Sequence, residues 1–317
     1  MQIKFKHVNF TYSPKSPFEY AALKNINLEL NKHQFLAVVG HTGSGKSTLV
    51  QLINGLLLPT EGVVAVYDEL VVPNKKYLRN LDKIVKKPKK HSSEQIIKAK
   101  EILEIARNRN VFKVKSLRKK VGMVFQFPEY QLFEETVVKD VAFGPRNFGV
   151  AKEEAEKLAK VSLEKVGLDE SYYERSPFEL SGGEKRRVAI AGILALEPDI
   201  LILDEPTAGL DPLGAKLMME LFQRIYEGGT SIILVTHDMD IVMRYADNVC
   251  VLYEGEIKEV CDPITLFTSE SEKYSLATPV LYEVAQKLID AGYEIDISSI
   301  KNEKDLAKAL SKGRKEK

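Results

Sequence analysis

The fold of this chain is decided by the sequence Gly40-His41-Thr42-Gly43-Ser44-Gly45-Lys46-Ser47-Thr48. An apolar run at residues 35–39 precedes it and apolar residues at helical spacing follow it, which predicts a strand, a glycine-rich turn and a helix. Glycines let the turn close tightly, so that its backbone N–H groups and the helix N-terminus point at one anion. The spacing matches the phosphate-binding P-loop, in which Lys46 reaches the β- and γ-phosphates and the Ser47 hydroxyl binds Mg²⁺. We therefore expect the chain to bind a nucleoside triphosphate through residues 40–48.

The composition is that of a globular protein with a substantial core. The 317 residues are 44% hydrophobic and 29% charged, enough for one large α/β domain with an accessory piece, or for two domains. No apolar run approaches the roughly 20 residues that cross a bilayer, and the N-terminus shows no signal-peptide pattern. Cys250 and Cys261 lack metal-ligand spacing and are expected to be reduced thiols. We expect a protein that works on the cytosolic side.

The hydrophobic pattern predicts alternating strands and helices. Strands of an antiparallel layer are expected at residues 2–11 and 26–39, and the P-loop helix is expected to end near Leu57. The other expected elements are strands at 63–67, 121–126, 200–205 and 231–238, helices at 136–143, 151–166 and from 181 to before Pro198, and a hairpin at 249–257. From Pro263 onward we expect a helical segment, with residues 312–317 as a frayed tail.

One segment has a very different charge from the rest. Residues 73–120 hold 17 Lys and Arg against 4 Asp and Glu, whereas the remainder holds 29 basic and 41 acidic residues. We expect a basic insertion at about residues 74–118, in which a capping box at residues 92–95 begins a helix that ends near Asn110 and the flanks are loop. The insertion is either a solvated surface with one helix packed on the body, or a contact for anionic lipid headgroups or nucleic acid.

Two carboxylates close the apolar strand at residues 200–205. A strand that ends in Asp beside a P-loop supplies a second anchor for Mg²⁺, and Asp204 occupies that position. Glu205 follows it and can hold or deprotonate the attacking water, a contribution typically worth about 10²–10⁴ in rate. We therefore expect a Mg²⁺ site at Ser47 and Asp204 and a general base at Glu205.

A second anion site is predicted at Ser181-Gly182-Gly183, where two glycines follow a serine at a helix N-terminus. The chain has two phosphate-binding surfaces but only one P-loop lysine, Lys46. A head-to-tail dimer accounts for both surfaces, because each triphosphate then lies between one subunit's P-loop and the partner's Ser-Gly-Gly sequence.

These motifs resemble the ATP-binding cassette family, whose signature is Leu-Ser-Gly-Gly. The resemblance covers residues 1–260 and implies an α/β nucleotide-binding domain: a RecA-like parallel-sheet core, an antiparallel β layer and a helical signature subdomain at about 136–196. It also implies that Tyr12 stacks on adenine, that Gln126 of the Q-loop contacts Mg²⁺ and the γ-phosphate, that Asp211 is the D-loop aspartate and that His237 is the switch histidine.

Although a lone strand-end histidine is usually structural, the position of His237 favours the functional role. The catalytic residues would be Glu205, His237, Lys46 and Gln126. Glu184 replaces the usual glutamine, for which we expect a mild effect.

A narrower resemblance lies in four stretches, residues 40–43, 126–137, 143–149 and 176–181. They look like the second of two ATPase paralogues of energy-coupling-factor (ECF) importers. This resemblance implies ATP and Mg²⁺ as cofactors and a second ATPase subunit, as a heterodimer or a homodimer. It also implies a membrane scaffold (T component), a substrate-binding S component for vitamins or other micronutrients, and a place at the cytoplasmic face of the cell membrane. The helical extension at 261–317 would add dimer contacts. The basic insertion departs from the family, whose link there is far shorter.

The aromatic loop after Gln126 is a candidate coupling surface. Exposed aromatic residues rimmed by acidic ones suit a partner helix that carries arginine, and we expect Glu129, Tyr130 and Phe133 to make that contact, with Glu129 binding the arginine by analogy. The alternative is that these aromatic residues belong to the core.

Two other functions compete with that of an importer subunit. A soluble cassette ATPase could act on nucleic acid or ribosomes through the basic insertion, although such proteins typically carry tandem cassettes or long coiled-coil arms. A small-molecule kinase has no use for the Ser-Gly-Gly site. We therefore expect a membrane importer and no nucleic-acid partner.

Overall fold

The computed structural model describes residues 2–74, 76–269, 274–300 and 302–312 and confirms the α/β class. Of the tail expected at 312–317, Lys312 lies in the last helix instead, and residues 313–317 lie outside the described residues. The strands are β1 (Ile3–Tyr12), β2 (Tyr20–Leu30), β3 (Phe35–Val39), β4 (Glu61–Val66), β5 (Glu69–Val71), β6 (Asn110–Val111), β7 (Val121–Val124), β8 (Ile200–Asp204), β9 (Ser231–Val235), β10 (Asn248–Tyr253) and β11 (Glu256–Cys261). The helices are α1 (Lys46–Ile53), α2 (Tyr77–Lys86), α3 (Ser93–Ala106), α4 (Val114–Lys120), α5 (Val137–Asn147), α6 (Lys152–Lys165), α7 (Gly182–Leu194), α8 (Pro212–Glu227), α9 (Met239–Tyr245), α10 (Pro263–Ser269), α11 (Val280–Asp290) and α12 (Glu303–Lys312).

The core of the molecule is a six-stranded sheet in the order β11-β10-β3-β9-β8-β7, parallel except for β11. Every residue of β3, β8 and β9 is buried, as expected for parallel strands covered on both faces. The carboxyl ends of these strands meet at one edge, and this edge carries the P-loop, Asp204-Glu205 and, shortly after β9, His237.

A five-stranded sheet in the order β2-β1-β4-β5-β6 lies beside the core and is antiparallel except between β5 and β6. The prediction of one strand at 26–39 was wrong, because β2 ends at Leu30 and β3 begins at Phe35 in the other sheet. The polar residues between them form a turn in which His33 has a positive φ of 52°. The two sheets share an apolar cluster with α1 that includes Phe5, Val38 and Leu49.

Two helices differ in length from the prediction. Helix α1 ends at Ile53 rather than near Leu57, because Asn54 caps it and Gly55 follows with a φ of 68°. Helix α5 continues to Asn147 rather than ending at residue 143. Pro145 lies in its last turn, and the helix includes it. Helices α5, α6 and α7 pack together beside the core. The division of residues at about 136–196 into a helical subdomain stays a prediction.

The basic insertion is more structured than the sequence indicated. Its capping box is confirmed, since the Ser92 side chain accepts a hydrogen bond from Gln95 N, although α3 ends at Ala106. The prediction that its flanks are loop was wrong, because α2 and α4 form there. Apolar residues of α2 and α3 bury the outer face of β4, where Val63 and Ala65 lie, and this packing stabilises both helices.

The C-terminal helices pack on one face of the core sheet. Leu266, Phe267 and Tyr282 share an apolar cluster with Val249 of β10 and Val242 of α9. The boundary at residue 260 stays a prediction, as does the role of 261–317 in dimer contacts. None of the helices in the described part of the chain has the length and apolar character that a bilayer span requires.

Candidate nucleotide-binding site

The P-loop connects β3 to α1 through a turn of residues 40–45. Gly40, Gly43 and Gly45 have φ values of 148°, 81° and 103°, which side-chain-bearing residues rarely adopt. A Cβ atom on Gly40 would lie 2.0 Å from Leu252 O, and one on Gly45 would lie 2.6 Å from Ala22 O. These two glycines are therefore required both by backbone conformation and by close approach of neighbouring strands.

Lys46 and Ser44 carry the polar groups of this turn. Lys46 Nζ donates hydrogen bonds to Gly40 O (2.8 Å) and His41 O (3.0 Å). Burial lowers the pKa of the Lys46 ammonium, and the carboxylates of Glu205 and Asp204 oppose that shift. Ser44 Oγ is buried and has no hydrogen-bond partner within the described residues. The partly buried Lys46 ammonium at the N-terminus of α1 fits a site built for a phosphate.

Asp204 ends β8 within reach of the start of α1. Ser47 Oγ donates to Asp204 Oδ1 at 3.4 Å, which places a hydroxyl and a carboxylate oxygen side by side. Burial raises the pKa of Asp204, although the hydrogen bond from Ser47 acts in the opposite direction. A pair of hard oxygen donors in a buried, anionic site has the chemistry that Mg²⁺ prefers.

Glu205 and His237 form a pair at the same edge. The Nδ1 atom of His237 lies 2.9 Å from Glu205 Oε2 and 3.0 Å from Oε1, and the Glu205 side chain is 19% exposed against 80% for His237. Glu205 N donates to Val235 O at 3.0 Å, and the residue has a φ of 50°. The carboxylate is therefore held beside the strand ends by its backbone and by the imidazole.

An open cavity of about 490 Å³ brings most of the predicted residues together. It is lined by Tyr12, Tyr20, Ala22, Thr42, Gly43, Gly45, Lys46, Ser47, Thr48, Gln126, Asp204, Glu205, Val235 and His237. The Tyr12 hydroxyl lies 3.0 Å from Thr48 Oγ1, so this ring is at the rim of the cavity. Tyr20 was missed in the sequence, yet its hydroxyl donates to Gly43 O at 3.0 Å. The register that pairs Tyr20 with Tyr12 across β1 and β2 is what brings it there.

The His41 side chain lies away from this cavity. Its Nδ1 donates to Thr42 O at 2.7 Å, and its ring meets that of Tyr253 edge-on at 5.1 Å between centroids. Tyr253 in turn lies 6.5 Å from Tyr274, in the C-terminal extension. The prediction that His41 binds the nucleotide can therefore concern its backbone only, because the imidazole packs against the extension's side of the sheet.

The signature residues and Asp211 are not part of the cavity. Ser181 caps α7 in a capping box with Glu184, whose Oε2 accepts from Ser181 N at 2.8 Å, while Tyr172 donates to Glu184 Oε1 at 2.8 Å. Gly182 and Gly183 would accommodate a Cβ with nothing within 4 Å, so the helix N-terminus is open to an external group. Asp211 caps α8 by accepting from Gly214 N.

Glu129 has a partner within the chain. Its two oxygens accept hydrogen bonds from Arg186 Nε (3.0 Å) and Nη2 (2.8 Å), and the side chains are only 15% and 4% exposed. Arg186 Nη1 also donates to Pro206 O (3.2 Å) and Ala208 O (2.9 Å). Burial is the largest single influence and acts to raise the pKa of Glu129, but the Arg186 hydrogen bonds, a backbone hydrogen bond and the charge of Arg186 together outweigh it, so the pKa lies below its ordinary value.

The coupling role of Glu129 stays a prediction, and in this conformation its carboxylate is bound to Arg186 inside the chain. Tyr130 and Phe133 are 84% and 55% exposed, so they, unlike Glu129, present free surface. Sequence reasoning missed Arg186, since it lies within the run Lys185-Arg186-Arg187, which is typical of an exposed helix face.

Comparisons with known proteins identify the family of this chain. Residues 23–208 match the ABC transporter family. The energy-coupling factor transporter ATP-binding protein EcfA2 of Enterococcus faecalis is 48% identical over 299 residues, 93% of this chain and 92% of that protein. The protein of the same name from Streptococcus pyogenes is 48% identical over 302 residues, 95% of each chain.

Solved structures show the same fold. The cbiO1 protein of Clostridium perfringens, part of the ABC transporter complex cbiONQ, is 33% identical with a TM-score of 0.66, over 92% of this chain and 96% of that one. The dimeric ATP-binding cassette MJ0796, in a post-hydrolysis state bound to ADP and Pi, is 29% identical with a TM-score of 0.62, over 82% and 98%. The chain therefore belongs to the ATP-binding cassette family, within which it is an ATP-hydrolysing energy-coupling factor ATPase.

Proposed function

We propose that this chain drives an ECF-type importer of vitamins or other micronutrients from the cytoplasmic face of the cell membrane. The observation that carries the proposal is a site in two separated halves. Lys46, Ser47, Asp204, Glu205 and His237 surround one cavity, whereas the open N-terminus of α7 lies outside it. A second ATPase subunit supplies the missing half, and the relatives named as transporter subunits support this assignment.

The residues around the cavity divide the chemistry of ATP hydrolysis between them. Backbone N–H groups of the P-loop and Lys46 bind the phosphates, and Ser47, Asp204 and Gln126 would hold Mg²⁺, which neutralises phosphate charge. Glu205 accepts the proton of the attacking water, and the imidazole of His237 orients that carboxylate. Tyr12 stacks on the adenine.

The dimer is head-to-tail, as a heterodimer with a second ATPase or as a homodimer. In it, Ser181, Gly182 and Gly183 of one subunit bind the triphosphate on the other subunit's P-loop, and Asp211 lies at the contact. The related cassette MJ0796 is dimeric in its solved structure, which supports a dimer here. The extension at 261–317 adds further contacts.

Coupling to the membrane scaffold begins at Gln126. This residue lines the cavity, and the loop that follows it presents the exposed rings of Tyr130 and Phe133. A loop with one end at the nucleotide and the other at the surface can transmit the state of the nucleotide to the T component, which carries the S component.

Co-purification from a detergent extract tests the proposal. The chain is expected to copurify with an integral membrane protein, and the double variant Tyr130→Ala and Phe133→Ala is expected to lose that partner while it keeps basal ATP hydrolysis. Val161→Ala, at another exposed apolar position, serves as the matched control and should keep the partner. Retention of the membrane partner by the double variant would contradict the coupling surface, and absence of any membrane partner for the unmodified chain would contradict the importer function.

A further inference from the structure

Helix α2 and the short 3₁₀ helix Pro88–Lys90 carry a dense row of cations, which we call the basic ridge. It consists of Lys76, Arg79, Lys83, Lys87, Lys89 and Lys90. All six are exposed, and none forms an ion pair within the part of the chain that the structure describes. The one acidic residue of this segment, Asp82, pairs with Lys86 at 2.6 Å. The ridge is therefore a concentrated positive surface without internal compensation.

The ridge is held in place by the opposite face of α2. Leu81 is buried and Leu78, Ile84 and Val85 pack against the same apolar cluster, which covers the outer face of β4. The Tyr77 hydroxyl accepts a hydrogen bond from Gly62 N at 2.8 Å, which fixes the start of the helix. Since the apolar side faces the body, the cations face solvent.

Other cations in and around the insertion form ion pairs, unlike those of the ridge. Lys98 pairs with Glu61 at 3.4 Å, Lys120 with Asp68 at 2.6 Å, and Glu101 with Lys6 at 2.9 Å. These pairs attach the insertion to the antiparallel sheet. The ridge residues form no such pair with any residue that the structure describes, and Arg79, Lys83 and Lys87 repel one another at four-residue spacing. Docking of the insertion thus does not explain the ridge.

We propose that the basic ridge binds the anionic headgroups of a phospholipid membrane. Five of its six cations are lysines, compact point charges on flexible stems that suit an array of headgroups without fixed geometry. Clusters of four to eight Lys or Arg beside a membrane are typical of such binding. The inference relies on the proposed importer function only for the nearness of a bilayer.

Nucleic acid fits the ridge less well. Binding to single strands uses aromatic rings on which bases stack, and the one aromatic residue of α2, Tyr77, is partly buried with its hydroxyl bonded to Gly62. The ridge is also the outer side of a helix rather than a groove that tracks a backbone. The observations therefore favour a surface of headgroups.

Vesicle flotation with the purified full chain tests the proposal. The chain is expected to bind vesicles of phosphatidylcholine and phosphatidylglycerol at low salt, and not vesicles of phosphatidylcholine alone. Replacing the six ridge cations with glutamine is expected to lower partition by at least about 100-fold, because each Lys or Arg near an anionic surface contributes roughly fivefold. A matched variant loses the same charge at exposed positions elsewhere: Lys152, Lys157, Lys160, Lys287, Lys304 and Lys308, each to Gln. It should stay within about threefold of the unmodified chain, since these residues lie outside the ridge.

Three outcomes would overturn the proposal. The first two are equal binding of the chain to both kinds of vesicle, and an equal loss of vesicle binding in the ridge variant and the matched variant. The third is ridge-dependent binding of duplex DNA or transfer RNA that is tighter than binding of anionic vesicles at the same salt. The last outcome would make nucleic acid the partner. Failure of the importer function would appear separately, as the absence of a copurifying membrane protein while vesicle binding persists. ATP hydrolysis of the ridge variant is expected to be unchanged, because no ridge residue lines the cavity.

Discussion

Arg186 and the basic ridge show opposite uses of positive charge in one chain. Arg186 is almost fully buried, and its guanidinium donates to one carboxylate and two backbone carbonyls. The ridge cations are exposed and lack ion-pair partners among the described residues. A buried cation must be paired, so it fixes the position of whatever it contacts. An exposed cation stays hydrated and is free to bind an anion from outside.

The position of Arg186 gives its contacts a function. It lies on α7, the helix that begins after Ser181, and it holds the segment directly after Glu205 through the carbonyls of Pro206 and Ala208. It also holds the loop after Gln126 through Glu129. In the proposed dimer the signature end of α7 faces one ATP and Glu205 faces the other. We expect Arg186 to keep these three segments in a fixed relation.

The largest predicted effect is at this buried pair. Arg186→Met should lower the free energy of unfolding by about 3–5 kcal/mol, because it leaves the Glu129 carboxylate buried without a counter-charge and removes the donors to Pro206 and Ala208. ATP hydrolysis should fall as well, since the segment after Glu205 loses its support. Urea unfolding and steady-state turnover are the measurements.

Two variants sharpen that prediction. Lys157→Met removes an exposed cation and should change stability by no more than about 0.5 kcal/mol. Glu129→Leu in the Arg186→Met background should cost less than the sum of the two single changes, with a coupling energy of about 0.5–3 kcal/mol. Additive losses, or a cost of less than about 1 kcal/mol for Arg186→Met, would contradict a tightly coupled buried pair.

A smaller effect is expected when pH changes the contribution of Glu129 to the free energy of unfolding. The pKa of Glu129 lies below its ordinary value of 4.5, so its ion pair contributes stability that is fully present above that value and is lost as pH falls through the lower pKa of the folded state. The stability difference between the unmodified chain and Glu129→Gln should therefore be constant from neutral pH to about pH 5 and shrink below it. Urea unfolding over that range measures the difference. A difference that grows as the pH falls below 5 would contradict the assignment.

The contrast between Arg186 and the ridge also shows how far sequence reasoning reaches. Lys46 was found from the P-loop spacing, Asp204 and Glu205 from an apolar strand that ends in two carboxylates, and His237 from the family resemblance. The structure brings them together because the carboxyl ends of parallel strands meet at one edge. The P-loop and signature have fixed local spacing, so they needed no knowledge of tertiary contacts.

Other features depend on contacts between residues far apart in the sequence. The burial of Arg186 depends on Glu129, 57 residues away, and nothing in the run Lys185-Arg186-Arg187 separates the buried cation from its neighbours. Helix α2 was missed because its lysines resemble a solvated loop, whereas its stability comes from packing on β4. Tyr20 reaches the cavity only through the register between β1 and β2.

The smallest predicted effect is the change in the chain's free energy of unfolding when the ridge cations are removed. If its cations serve an external anion, their neutralisation should leave the chain as stable or slightly more stable, since Arg79–Lys83 and Lys83–Lys87 are like-charged pairs that cost about 0.2–0.5 kcal/mol each. Replacing all six cations with glutamine should therefore raise the free energy of unfolding by up to about 1 kcal/mol at low salt. The gain should disappear at about 1 M salt, where screening acts over roughly 3 Å. The matched variant at Lys152, Lys157 and the other exposed positions provides the comparison in urea unfolding. A loss of stability in the ridge variant alone would show that these cations support the fold as Arg186 does, and the distinction between the two regions would fail.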